Sequence, residues 1–253
     1  LVADMAFGLQ AISRRTEITN STGIGLTTNA AKSVNAAART TGGQSYSEEK
    51  EGGVFAQIDL AWRDRLYLQL GGRVDKNSAF GEEAKTFFNP KVGLSYVLSE
   101  EDFYPQAMKD VFSTLRLRSV WGSTGRSPGS GASLTTYSSS AYAITSASVG
   151  SGVLPNNPGN KELKPERGIE IELGLDAGLF NERLGLEVTY YNKTSNDLIL
   201  AQPLPPSLGF SNDPLVNIGQ LKNTGLEMAL NGQVVKLENF NWDARLNVTT
   251  NKN

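Results

Sequence analysis

Strand-length segments in which every second residue is apolar recur along this chain, and their connectors alternate between very short and very long. Ile169, Ile171, Leu173 and Leu175 alternate with Glu170, Glu172, Gly174 and Asp176. Leu184, Leu186, Val188 and Tyr190 alternate with Gly185, Glu187, Thr189 and Tyr191. Successive side chains on a strand point to opposite faces, so each segment has one apolar face and one face of acids, glycines and hydroxyls. A helix would need apolar residues at a 3.6-residue period, which these segments lack. Strands joined by alternately short and long connectors predict an up-and-down antiparallel sheet with two unlike ends.

About nine such segments can be read by alternation. The first, near residues 3–12, is weak. The second turns Val54, Ala56, Ile58, Leu60 and Trp62 to the apolar face, and Phe55, Gln57, Asp59 and Ala61 to the other. The third places Leu66, Leu68 and Leu70 opposite Tyr67, Gln69 and Arg73. The fourth places Phe88, Val92, Leu94, Tyr96 and Leu98 opposite Lys91, Gly93 and Ser95. The fifth places Leu115, Leu117 and Trp121 opposite Arg116, Arg118 and Gly122. The last two place Leu226, Met228 and Leu230 opposite Glu227 and Asn231, and Trp242, Ala244, Leu246 and Val248 opposite Asp243, Arg245, Asn247 and Thr249.

Short turns are expected near Asp64, Asn181 and Asn239. A longer connector from Ser99 to Thr114 is expected to hold a helical turn near residues 105–110. Long loops are expected at about 13–53, 75–87, 124–167 and 195–222. Transmembrane barrels of the bacterial outer membrane pair short periplasmic turns with long extracellular loops, which puts the short turns in the periplasm and the loops outside. Trp62, Trp121, Trp242, Phe88 and Tyr190 all fall on the apolar face near one end or the other of their segments. There an amphipathic ring sits well at the membrane–water interface.

No stretch approaches the ~18 apolar residues of a spanning helix, which leaves a strand-crossing membrane protein open because its strands need only ~9–11 residues. With Lys+Arg 24 against Asp+Glu 26, no basic excess points to nucleic acid. The chain contains neither cysteine nor histidine. Disulfides and thiol catalysis are thereby excluded, together with the commonest general base and zinc ligand. The chain starts at Leu1 and stops at Asn253 within a strand-like segment, and is expected to be part of a longer protein.

Arg116, Arg118, Glu170, Glu172, Asp176, Glu187, Glu227 and Arg245 all fall on the polar face. Paired carboxylates can do acid–base chemistry. Acids recurring at a period of two on several strands instead describe a wetted lumen, and no catalytic residue is assigned. Asn212–Asp213 and Glu48–Glu49 lack the spacing of a calcium loop, so no metal or cofactor site is expected. For ligand contact the candidates are Tyr137, Tyr142 and Phe210 in the longest loops, since aromatic rings stack on sugars or pack on apolar ligands.

One ordered series is more specific. It comprises Asn77-Ser78-Ala79-Phe80-Gly81-Glu82, Phe88-Asn89-Pro90-Lys91-Val92-Gly93-Leu94-Ser95-Tyr96 and Trp121-Gly122-Ser123-Thr124-Gly125. It continues with Leu163-Lys164-Pro165-Glu166-Arg167-Gly168, Leu186-Glu187-Val188-Thr189-Tyr190-Tyr191-Asn192-Lys193 and Asn223-Thr224-Gly225-Leu226-Glu227. In this order and spacing the chain resembles the barrel of SusC/RagA-like TonB-dependent outer-membrane transporters, over nearly its whole length and most specifically from Gly52 to Asn253.

The resemblance implies an all-β, antiparallel up-and-down transmembrane barrel of about 22 strands, of which this chain holds a part. It implies an N-terminal plug and a TonB-engaging segment outside this chain, and import of a bulky nutrient such as an oligosaccharide, a peptide or a siderophore, driven through TonB. Many members pair with a SusD-like surface lipoprotein. The expected surroundings are therefore outer-membrane lipid, TonB and a SusD-like partner, with no nucleic acid, no cofactor and no enzymatic step. A passive outer-membrane pore and a soluble glycan-binding β-protein are the alternatives. A plug upstream would separate the importer from the pore. Partition of the full chain into detergent would separate both from the soluble protein.

Overall fold

A computed structural model describes residues 1–26, 28, 32–80, 86–145 and 148–253. Nine strands form one antiparallel sheet: β1 (Val2–Leu26), β2 (Ala37–Trp62), β3 (Leu66–Asn77), β4 (Phe87–Val97), β5 (Phe112–Arg126), β8 (Glu166–Leu179), β9 (Leu184–Asn196), β12 (Gln220–Leu237) and β13 (Phe240–Lys252). Each pairs with the next in the order given, so the sheet is up-and-down. Two further hairpins, β6 (Thr136–Thr145) with β7 (Ser148–Asn157) and β10 (Ile199–Ala201) with β11 (Leu215–Asn217), stand apart from it at the long-loop end. A single helical turn, α1 (Gln106–Lys109), lies in the connector between β4 and β5, where the sequence predicts one.

The register aligns the alternation of separate strands into continuous rows. One row reads Trp62, Leu66, Tyr96, Leu117, Leu175, Val188, Met228 and Val248. The row above reads Leu60, Leu68, Leu94, Ser119, Leu173, Tyr190, Leu226 and Thr250. A one-residue slip at any pairing would move that strand's whole apolar set to the other face. The bulge between Gln233 and Val235 shows the same constraint, because the extra residue brings Val235 into register with Trp242 on the apolar face. This face remains open: Leu173 is 51% exposed and Phe7 88%. An apolar band of this extent on one face of a sheet is what a lipid solvent accepts and water does not.

Local chemistry closes the short-turn end. Arg63 and Asp64 both take positive φ, the signature of the two-residue hairpin turn whose twist matches its strands, and the Arg65 amide donates to the Trp62 carbonyl at 3.1 Å. Phe180, Asn181 and Glu182 take positive φ in succession. That turn is held by Ser113, whose hydroxyl donates to the Gly178 carbonyl at 3.0 Å and to Glu182 Oε1 at 2.8 Å.

The long-loop end departs most from the sequence reading. Much of the expected loop at 13–53 is instead strand. β1 and β2 remain paired from Val2 opposite Ala61 to Leu26 opposite Ala37. At ~3.3 Å per residue the ribbon is about 80 Å long. Its far half is held by threonine and serine pairs such as Thr22 opposite Thr41 and Thr16 opposite Ser47. Both faces of this half are exposed and mainly polar, so it carries no apolar alternation and the sequence signal vanishes while the pairing continues. For the same reason the expected loops at 124–167 and 195–222 contain the hairpins β6–β7 and β10–β11.

Most of the buried apolar residues gather at this end. Leu163 is 0% exposed, and Ala79, Phe80 and Ala132 are also buried. Phe80 meets Phe87 edge-to-face with ring centroids 5.4 Å apart. The connectors after β3 and β5 and the strand-entry segment before β8 thus share a small core of the kind found in water-soluble domains.

Candidate functional site

The polar face of the sheet is a hydrogen-bonded wall. Asp176, on β8, is gripped by two arginines of β5. Arg116 Nε and Arg118 Nε each reach its Oδ2 at 2.8 Å, and Arg118 Nη2 reaches its Oδ1 at 2.8 Å. This bidentate geometry makes Arg118 the stronger partner. Arg118 lies flat because Gly174 sits beneath it; a Cβ there would stand 2.8 Å from the guanidinium carbon. Arg118 also reaches Thr189 at 3.4 Å, and Lys193 pairs with Glu170 at 3.2 Å, so β5, β8 and β9 are tied along one face.

A second network crosses β2, β3 and β4. Lys91 donates to Gln57, Gln57 and Gln69 both donate to Asp59, and Asn89 and Arg73 converge on Asp75. Between the two networks lies an open depression of about 460 Å³, lined on its polar side by Gln57, Arg73, Lys91, Thr124, Glu170 and Glu172.

The long-loop cap stands at one end of this wall. Asn77 donates to Glu49 at 2.9 Å and to Ser127 at 3.1 Å, linking the β1–β2 ribbon to the end of β3 and to the connector after β5. Ser130 donates to the Glu48 carbonyl and Ser133 to the Phe80 carbonyl. Asn217 accepts from the Lys164 amide at 2.8 Å and donates to the carbonyls of Lys164 and Asp197. Asn160 donates to the Leu215 carbonyl at 2.9 Å, and Asn212 to Asn156 at 2.6 Å. Asparagine suits this work because one amide both donates and accepts. On the ribbon, hydrogen bonds from Lys50 and then Tyr46 hold the Glu48 carboxyl below its usual range.

The charged residues singled out from sequence fall on the wall, and the structure sorts them. Arg116, Arg118 and Asp176 form one cluster, and Glu170 joins Lys193. Glu187 stands opposite Asp176 in the register, and Glu227 opposite Thr189. Glu172 lines the depression, while Arg245 lies near the short turns beside Asn231 and Asp243. The sequence list omitted Gln57, Asp59, Gln69, Arg73 and Lys91. Their inward position was legible from alternation, but which of them meet depends on strand register.

Trp62, Trp121, Trp242, Phe88 and Tyr190 stand in the apolar rows: Trp121 between Val92 and Ile171, Tyr190 between Leu173 and Leu226, Phe88 beside Val74, and Trp242 beside Val235. The Arg63 guanidinium covers the Trp62 ring with 5.0 Å to its centroid.

The three loop aromatics do not form a cluster as a set. Tyr137 and Tyr142 are five residues apart on β6 with no bulge between them, so they leave the β6–β7 hairpin on opposite faces. Both are exposed, and Tyr142 lies against Gly152. Phe210 is half-buried in a different connector. Its neighbour Ser211 donates to the Pro155 carbonyl, and Pro155 is the register partner of Tyr137. The segment carrying Phe210 therefore docks at the Tyr137 end of the hairpin, and Tyr142 lies further along it.

Comparison with known proteins agrees with this architecture. Residues 6–253 match the family model described as TonB dependent receptor-like, beta-barrel. The chain is 31% identical over 213 residues to TonB-dependent receptor P26 of Formosa agariphila, covering 82% of this chain and 21% of that protein. It is 27% identical over 203 residues to TonB-dependent receptor SusC of Bacteroides thetaiotaomicron, covering 79% of this chain and 20% of the relative. It thus spans about a fifth of the length of these relatives. Among solved structures, the RagAB peptide transporter superposes with a TM-score of 0.82 at 22% identity, over 98% of this chain and 27% of that one. The siderophore receptor PirA of Acinetobacter baumannii superposes with a TM-score of 0.60 at 15% identity, over 98% of this chain and 34% of that one. With its two-faced nine-stranded sheet and a family match running almost from end to end, this chain belongs to the TonB-dependent receptor β-barrel family and forms a section of barrel wall.

Proposed function

We propose that the chain is a section of the wall of an outer-membrane importer energised through TonB, with its short turns in the periplasm and its long-loop cap outside the cell. The observation that carries this reading is the match to the receptor-barrel family over residues 6–253, on a sheet with one apolar face and one hydrogen-bonded polar face. In this reading the apolar rows meet lipid, and the polar face meets the plug and the passing nutrient. The chemistry is binding and gated passage, with no bond made or broken. The cargo is a bulky nutrient of the peptide, oligosaccharide or siderophore class. Similarity to a peptide transporter and to a siderophore receptor supports that range without selecting within it. Tyr137 and Phe210 are the aromatic contacts proposed for the cargo. A SusD-like lipoprotein is the proposed partner at the cap, supported by the relationship to SusC.

The test is uptake by cells that carry the full-length protein, with and without TonB. An energised importer loses uptake when TonB is removed, while the protein remains in the outer membrane. Uptake that persists unchanged without TonB would identify a passive pore.

A further inference from the structure

On the apolar face of the wall, where the rows end and the ribbon begins, there is an open groove of about 770 Å³. Leu9, Val54 and Val74 stand side by side in the register and form its apolar lower part. One outward-facing step further up, Gly52 is paired between Ala11 and Lys76, and one step beyond that is Lys50. A Cβ added to Gly52 would meet only a backbone oxygen at 3.8 Å, so the space above this glycine is open. Both lysines line the groove and are exposed or nearly so. Among the described residues, the charged side chains on this face beside the groove are Arg15, Lys50 and Lys76 against Glu17 and Glu48, with Arg15 3.6 Å from Glu17. Lys50 touches Glu48 at 3.1 Å, Arg15 faces Glu48 across the ribbon, and the Arg15 guanidinium rests on the Tyr46 ring. Asp75 and Arg73, which pair with each other, turn to the opposite face.

In the membrane placement proposed above, on which this inference rests, an apolar floor below and two ammonium groups above stand where lipid tails give way to headgroups and describe a complement to an anionic amphiphile. We infer that this groove binds the phosphate-bearing headgroup of an anionic lipid in the leaflet at the long-loop end. One acyl chain lies along Leu9, Val54 and Val74, and the phosphate sits between Lys50 and Lys76. The alternative occupants of an exposed apolar groove, a second protein chain or a free anion, account for only half of it. A protein contact leaves the lysines at lipid-headgroup height unexplained, and a free anion leaves the apolar floor unexplained. The site lies on the opposite face from the polar wall, so it stands whichever nutrient is imported.

The test uses the full-length protein in detergent micelles, titrated with bisphosphorylated lipid A and followed by native mass spectrometry. Lys50→Gln with Lys76→Gln should weaken the bound lipid by about thirtyfold, and each single change by about fivefold. Gly52→Leu, which fills the groove without touching charge, should weaken it by about tenfold, on the scale of displacing a few methylene contacts. Lys236→Gln, near the short turns, should leave binding unchanged, and uptake should survive in all five variants. Equal binding of a dephosphorylated lipid A would overturn the proposal. So would unchanged binding in the double variant, or complete displacement by millimolar inorganic phosphate, which would mark an anion site only. Heat-modifiable migration on gels checks that each variant still forms a barrel. A variant that fails this check is replaced by Lys50→Arg, which must retain binding if charge is what the lipid reads.

Discussion

The wall and the cap solve the same problem in opposite ways. On the wall, Leu173, Trp62 and Trp121 stand on an open apolar face, while Asp176, Arg118 and Glu170 hydrogen-bond on the other. In the cap, Leu163, Phe80 and Ala79 are buried. The difference is the solvent. Lipid makes an outward leucine inexpensive and an outward charge costly, whereas water does the reverse. The same chain changes rule within a few residues, near Val54 on β2 and Phe88 on β4, where the apolar rows stop. The cap is also stitched differently. Many of its ties run from asparagine and serine side chains to backbone carbonyls, whereas the wall is held by its strand ladder and by charged side chains paired across it.

The sharpest way to break this comparison is to damage one region and observe the other. Leu163→Ala should cost the cap about 2–5 kcal/mol of local stability, because the cavity lies among packed side chains. Hydrogen exchange on the full-length protein in micelles should show faster amides in residues 74–80 and 127–165 with the wall unchanged. Loosening of β8 and β9 to the same extent would show that cap and wall are one unit.

Next in size is Leu173→Arg, which puts a charge in the lipid-facing row and should cost about 2–4 kcal/mol. Unfolding from lipid vesicles measures it, and a variant as stable as the parent would mean that the facing is wrong.

A smaller effect is expected from Asp176→Asn, which takes the charge from between Arg116 and Arg118 and should cost about 1–3 kcal/mol. The reversal Arg118→Ala in the same background should then add little. Full additivity of the two changes would show that the pair does not act as a cluster.

Smallest in stability is Tyr137→Ala, expected to stay within about 0.5 kcal/mol because the side chain is exposed. Uptake should fall while the amount of protein in the membrane stays constant, and a parallel fall in both would assign Tyr137 a folding role.

How far the chain could be read before folding follows the same division. Nine strands, their facing, the short turns and the helical turn at Gln106–Lys109 were legible, because a two-sided environment imprints a period of two on each wall strand. The ribbon beyond residue 13 and the hairpins β6–β7 and β10–β11 were not, since water on both faces leaves no period to read. That Tyr137 and Tyr142 leave their hairpin on opposite faces was not legible either, because the distance along a loop does not carry direction, whereas five steps along a strand do.

What the sequence determined by itself is the class of solvent on each face, because hydrophobicity is a property of the residue and alternation is a property of the backbone. What only the tertiary structure decided is which residues meet. Asp176 finds Arg116 and Arg118, Lys50 stands one step above Gly52 and Lys76, and Leu163 becomes fully buried in the cap. Those meetings depend on register and on the path of the long connectors, which are set by the summed pairing of whole strands and leave no mark on any short stretch of sequence.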